Sequence, residues 1–132
     1  MESRIEISEM LKRARSYEQK NVTEEMERQK PSFHACVPVG WLNDPNGFSV
    51  YQGKYHLFYQ YHPYDKVWGP MHWGHSVSED MVTWEQLPAV LAPDMDYDRA
   101  GCFSGSALEY KGKHILLYTG VSEKEENGEK NV

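Results

Sequence analysis

The stretch Phe48-Ser-Val-Tyr-Gln-Gly-Lys-Tyr-His-Leu-Phe-Tyr-Gln-Tyr61 decides the fold class. Aromatic and β-branched residues flank Gln52-Gly53-Lys54, the pattern of strand, Gly-containing turn and strand. The pattern returns 59 positions later: Tyr110-Lys-Gly-Lys113 matches Tyr51-Gln-Gly-Lys54, and Tyr118 stands to Lys113 as Tyr59 stands to Lys54. Working outward, Trp73–Ser78 reads as a third strand and Trp84–Leu91 as a fourth, running out at Pro93. Ser104–Tyr110 and His114–Thr119 make the second hairpin. A repeat of ~40–60 residues, each with about four strands, is the signature of propeller blades. Residues 41–132 amount to about 1.6 such repeats, whereas propellers close with ~4–8 blades, so the chain is expected to be the beginning of a larger domain.

The first thirty residues differ in kind. They hold fourteen charges and a single aromatic, Tyr17, whereas 15 of the 17 aromatics lie between Trp41 and Tyr118. This places a boundary near Pro31, with a helical segment over 1–30 and the β-rich part over 31–132. Ile7, Met10, Leu11, Ala14 and Tyr17 recur at helical spacing, with Ser3-x-x-Glu6 as a capping box. A second short helix starts at Thr23, has Glu24 and Glu25 in its first turn, and ends before Pro31. The segment is expected to be a solvated appendage with one apolar stripe. The C-terminal Ser122–Val132 stretch is read as a charged, Gly-containing loop.

Lys+Arg 14 against Asp+Glu 20 leaves a net charge of −6 and a sequence pI near 5.5. No basic stripe is present to neutralise phosphates, which argues against a nucleic-acid partner. No apolar run approaches the ~18 residues of a membrane helix, so no membrane role is expected. Met1–Glu6 shows neither the basic nor the apolar region of a secretory signal, and two cysteines, Cys36 and Cys102, make no disulfide framework. A cytoplasmic location is the expectation.

The densest chemical cluster is Trp41-Leu-Asn-Asp-Pro-Asn-Gly47, read as a tight turn. Asp44 precedes a proline that cannot donate to a ladder, and Asn43 and Asn46 can hydrogen-bond its carboxylate. Gln60-Tyr-His-Pro-Tyr64 and Trp68-Gly-Pro-Met-His-Trp-Gly-His75 supply the amide, indole and imidazole groups that suit a polyhydroxyl ligand. His72-x-x-His75 is not a metal pair on a strand, where positions three apart face opposite ways. Asp94-x-Asp96-x-Asp98 lacks the Gly and Glu of a calcium loop and reads as a solvated acidic loop. No metal or cofactor is expected. Cys102-Phe-Ser-Gly-Ser106 has no nucleophile elbow, so a serine nucleophile is unsupported.

In order, Trp41–Gly47, Gln60–Pro63, Trp68–His75, Trp84, Leu87-Pro88 and Gly101-Cys-Phe-Ser-Gly-Ser106 resemble the motifs of glycoside hydrolase family 32, which holds invertases, sucrose-6-phosphate hydrolases, inulinases and levanases. The resemblance covers about Phe33 to Gly120. It implies an all-β fold, the N-terminal part of a five-bladed β-propeller with the first blade and the start of the second, preceded by the helical segment. It also implies a retaining hydrolysis of the fructosyl bond of sucrose or sucrose 6-phosphate. The family nucleophile falls on Asp44, and the fructose-binding residues fall on Trp41, Leu42, Asn43, Gln60, Trp68, Phe103 and Ser104. Leu42 departs from the methionine often found there, a volume-conserving change. The family's Arg-Asp-Pro motif and the Glu-Cys motif that carries its acid/base occur nowhere in residues 1–132, so the chain by itself is expected to be inactive. Hydrolysis of fructans, or sugar binding without catalysis, are the alternative readings.

Overall fold

The computed structural model describes residues 7–122 in full, together with the backbone of 124–126 and 129–131. Two helices come first, and each begins where a hydroxyl can accept an orphan backbone N–H. Ser8 Oγ accepts from Leu11 at the start of α1 (Glu9–Asn21), and Thr23 Oγ1 accepts from Met26 at the start of α2 (Glu24–Gln29). The anticipated Ser3–Glu6 box lies outside the described residues.

Four antiparallel strands follow in the order β1 (Trp41–Tyr51), β2 (Lys54–His62), β3 (His72–Ser78) and β4 (Glu85–Leu91), forming one sheet. A second sheet holds β5 (Gly101–Tyr110) and β6 (Lys113–Val121). Both hairpins turn on two residues with positive φ, Gln52 (49°) with Gly53 (76°) and Lys111 (50°) with Gly112 (73°). That geometry matches the right-handed twist of paired strands, and glycine adopts it without a Cβ penalty. The 59-residue repeat is therefore a repeat of structure. Tyr51 pairs with Lys54 as Tyr110 pairs with Lys113. The sheets are one propeller blade and the start of the next.

The C-terminal stretch is not the loop expected. Strands β7 (Lys124–Glu126) and β8 (Glu129–Asn131) pair there as a short hairpin.

Alternation along β2 sorts the core onto two faces. Phe58 joins Trp73 and Cys102 in a cluster against Val90, Leu91, Ala107, Leu116 and Tyr118, so this face is the seam between the two sheets. Tyr59 and Tyr61 join Ala89 on the other face, where Leu11, Val37 and Leu42 cover them. With both faces covered, every residue of β3 is buried. Each large apolar side chain buried this way contributes roughly 1.5–3 kcal/mol.

The helical segment is less solvated than anticipated. Ala14 is fully buried and Glu18 nearly so. Arg15 Nε donates to the Ala89 carbonyl at 2.8 Å, and Glu18 Oε2 accepts from the Ala89 N–H at 3.3 Å. Two side chains of α1 thus do for edge strand β4 what a further strand would do, blocking a pairing edge that invites association.

Candidate active site

The stretch Trp41–Gly47 is strand, not a free tight turn, and the reason it looked like one is visible in its register. Asn43 pairs with Gln60 and Pro45 pairs with Tyr59, which leaves Asp44 without a partner on β2. Asp44 is the extra residue of a β-bulge, with φ at 26°. Its successor Pro45 has no N–H for the ladder, so pairing is interrupted where the bulge forms. The outcome is an exposed aspartate on a strand whose flanking residues Asn43 and Pro45 are paired. A second irregularity follows at once, between Asn46 and Ser49, at Gly47 with φ 57°. There a Cβ would meet Phe58 Cδ2 at 2.8 Å, so glycine is required by packing as well.

The second sheet repeats the device. Phe103 pairs with Thr119 and Gly105 with Tyr118, so Ser104 is the bulged residue of β5. Asp44 and Ser104 occupy equivalent places, each just before the residue opposite the repeated tyrosine (Tyr59 or Tyr118).

The two bulges are tied together. Asn46 Nδ2 donates to the Asp44 carbonyl at 3.2 Å, and Asn46 Oδ1 accepts from the Gly105 N–H at 3.4 Å. This differs from the expectation that Asn43 and Asn46 would hydrogen-bond the Asp44 carboxylate. Asn46 reaches the backbone instead, bonding the Asp44 carbonyl and the Gly105 N–H. Asn43 Oδ1 accepts from Trp41 Nε1 at 2.8 Å, which fixes the orientation of both side chains on one face.

Gln60, the cross-strand partner of Asn43, is buried and donates from Nε2 to the Cys102 carbonyl at 2.8 Å. The adjacent Phe103 carbonyl accepts from Trp73 Nε1 at 3.1 Å. Trp68, in the connection between β2 and β3, is 57% exposed and meets the Phe103 ring edge-on at 6.4 Å between centroids. Its loop is braced by His62, whose Nδ1–H donates to the Val67 carbonyl at 3.0 Å, and by His72, whose Nδ1–H donates to the Pro70 carbonyl at 2.9 Å. Burial holds the His72 ring well below the usual histidine range, at about 4, so it is neutral at pH 7. The Ser104 hydroxyl is buried and has no hydrogen-bond partner among the described residues.

Trp41, Asn43, Gln60, Trp68, Phe103 and Ser104 are therefore linked, directly or through one neighbour, around the bulge of Asp44. Leu42 is not. It points to the helix-covered face and packs with Tyr59 and Tyr61, as alternation along β1 demands. Asn46 joins the site in a role other than the one expected, and the Cys102 carbonyl and the Gly105 N–H join it although side-chain chemistry does not single them out. The Asn-Asp-Pro-Asn spacing was the available signal for Asn46.

The acidic loop also departs from expectation. Asp94 and Asp96 are exposed, but Asp98 is 1% exposed and accepts from the Met95 N–H and the Tyr118 hydroxyl, each at 2.7 Å. The Cys102 thiol also points at it, 3.6 Å away.

Residues 34–132 match the N-terminal domain of the glycosyl hydrolases of family 32. The sucrose-6-phosphate hydrolase of Zymomonas mobilis is 57% identical over 90 residues, 68% of this chain and 18% of that protein. Among solved structures, the family 32 β-fructofuranosidase of Bombyx mori superposes with a TM-score of 0.75 at 43% identity, covering 91% of this chain and 26% of that one. A variant of the same enzyme was determined in complex with sucrose. The sucrose-6-phosphate hydrolase of Lactobacillus gasseri superposes with a TM-score of 0.69 at 37% identity, over 93% of this chain and 24% of that one. The chain thus spans about a fifth to a quarter of the length of these relatives. The paired blades, the bulged aspartate strand and these matches agree: the chain belongs to glycosyl hydrolase family 32.

Proposed function

We propose that this chain supplies the nucleophile and part of the fructose pocket of a retaining β-fructofuranosidase acting on sucrose or sucrose 6-phosphate. The observation that carries the reading is the bulge at Asp44. It leaves Asp44 exposed on a paired strand that also carries the Trp41 indole and the Asn43 amide, with Gln60 as the cross-strand partner of Asn43, groups that suit a sugar. The Asp44 carboxylate attacks C2 of the fructosyl unit, and the bond from C2 to the glycosidic oxygen breaks. A second carboxyl group, ~5–5.5 Å from the first in retaining enzymes, gives that oxygen its proton. Water, deprotonated by the same second group, then releases fructose and frees Asp44. The family resemblance assigns the second group to a glutamate in a Glu-Cys motif, which residues 1–132 do not contain.

The test is a chimera in which residues 34–132 replace the matching segment of the Zymomonas mobilis enzyme. It should hydrolyse sucrose, and Asp44→Asn in it should lower turnover by several orders of magnitude, as loss of a covalent nucleophile does. Near-normal turnover by Asp44→Asn, with deamidation excluded by mass spectrometry, refutes the assignment.

A further inference from the structure

Three histidines from three strands meet on the seam between the sheets. His56 of β2 lies 5.1 Å from His75 of β3 and 4.8 Å from His114 of β6, measured between ring centroids. Phe58 stacks on His75 at 4.4 Å, and Tyr51 stacks on His114 at 4.6 Å. His114 belongs to the second blade, and the other rings belong to the first.

With the rings neutral, one arrangement of protons satisfies every hydrogen bond in this cluster. The Tyr51 carbonyl can only accept, so His56 Nε2 carries the hydrogen that meets it at 3.2 Å. His56 Nδ1 is then an acceptor, and His75 Nε2–H donates to it at 2.9 Å. On the other side, Ser49 Oγ donates to the Gly47 carbonyl at 3.2 Å. It therefore accepts from His114 Nε2–H at 2.8 Å. In that arrangement all three rings carry their hydrogen on Nε2. A proton on His75 or His114 would place a cation on a mostly buried aromatic seam beside other histidines.

We propose that His56, His75 and His114 form a neutral latch that holds the second blade against the first and opens when the cluster takes up protons. The surroundings offer little to hold charge. Among the described residues, the carboxylate acting on the cluster is Glu109 of β5, the cross-strand partner of His114. Lys54 and Glu79 pair with each other at 3.0 Å, at the exposed end of the first blade. Burial, then His56 and His114, hold His75 down to about 3. Burial and His56 lower His114, against the pull of Glu109. The Asn46–Gly105 and Gln60–Cys102 contacts cross the same seam, so an open latch also loosens the candidate site.

The sign follows from proton linkage. An opened seam returns the rings to the ordinary histidine value near ~6.5, so the open form binds more protons as pH falls below it. Each proton taken up on opening raises the opening constant about tenfold per pH unit, and two rings raise it up to about 100-fold. The window runs from pH ~6.5 down toward the depressed values of the closed form.

Amide hydrogen exchange in β6 of the 132-residue chain, corrected for intrinsic rates, reads this opening directly. Protection should fall at least about tenfold per unit below pH ~6.5. His114→Gln keeps an N–H donor for Ser49 Oγ but cannot titrate, so its slope should be shallower by about tenfold per unit. His72 is present in both proteins, so its own titration cancels in the comparison. Equal slopes in the two proteins overturn the proposal. If the variant does not fold, nitrogen-15 histidine spectra of the unaltered chain decide. Three Nε2–H rings that take up protons together with loss of β6 protection support the latch. Rings that titrate near pH ~6.5 while β6 stays protected overturn it.

Discussion

Replacing Asp98 by alanine tests whether the acidic loop is part of the framework beneath the site. Its carboxylate takes the Met95 N–H on one oxygen and the Tyr118 hydroxyl on the other, both at 2.7 Å, and Asp98 itself is buried. Burial, followed by the Asp98 hydrogen bond, pushes the Tyr118 phenol well above its usual range, so it keeps its proton and donates. Asp98→Ala leaves two donors unpaired, each costing about 1–3 kcal/mol, for a total near 4 kcal/mol. Against a domain stability of roughly 5–15 kcal/mol that is a large loss. With a urea m-value of ~1–3 kcal/mol/M, the unfolding midpoint followed by circular dichroism should drop by more than ~1 M. Asp98→Asn, which keeps the shape and one acceptor, should cost only about 1–2 kcal/mol. Combining Asp98→Ala with Tyr118→Phe should cost less than the sum of the two, by at least ~1 kcal/mol, because both remove one bond. A midpoint for Asp98→Ala within ~0.2 M of the unaltered chain would refute the reasoning and return Asp98 to a solvated loop.

Burial raises Glu18 above the ordinary carboxylate range, against the Ala89 N–H and Arg15, which lower it. The folded state therefore holds the proton more tightly, and the associated stability, full below the unfolded value, is lost as pH rises through the folded one. Glu18→Gln keeps an acceptor for Ala89 and should unfold at higher urea near pH ~7, with a flatter profile between pH ~4 and ~7; an unchanged profile refutes the assignment. Trp68→Ala should lower sucrose turnover in the chimera while moving the unfolding midpoint of the chain by no more than ~0.5 kcal/mol in stability, since the ring is largely exposed. Equal losses of both would make Trp68 a packing residue. Residues 1–132 alone should release no glucose from sucrose or its 6-phosphate, because general acid catalysis worth ~10²–10⁴-fold is missing along with the rest of the pocket; a coupled glucose assay on the purified chain checks this.

What residues 1–132 determine by themselves is local in origin. Alternation of period two, a glycine able to take positive φ at Gly53 and Gly112, and hydroxyls such as Thr23 at helix starts act within a few residues, so strands, turns and helices were legible before any fold was known. The repeat was legible too, because both blades solve the same twist and turn problem with the same residues. Register is different in kind. Whether Asp44 sits opposite a partner or bulges out depends on which residues of β2 pair with Asn43 and Pro45, and that is decided across the sheet. The same holds for Leu42, sent to the helix face by its neighbours' pairing, and for Asn46, whose acceptor role requires β5 to arrive beside β1. Asp98 looked solvated because its flanking aspartates are; only the return of β6, which brings Tyr118 over the loop, buries it. Likewise Arg15 and Glu18 read as surface charges until α1 lies along the open edge of β4, where unpaired backbone groups give both a partner. Groups that must satisfy hydrogen bonds within their own turn write their structure into the sequence, and groups that satisfy them at a distance do so only once the blades meet.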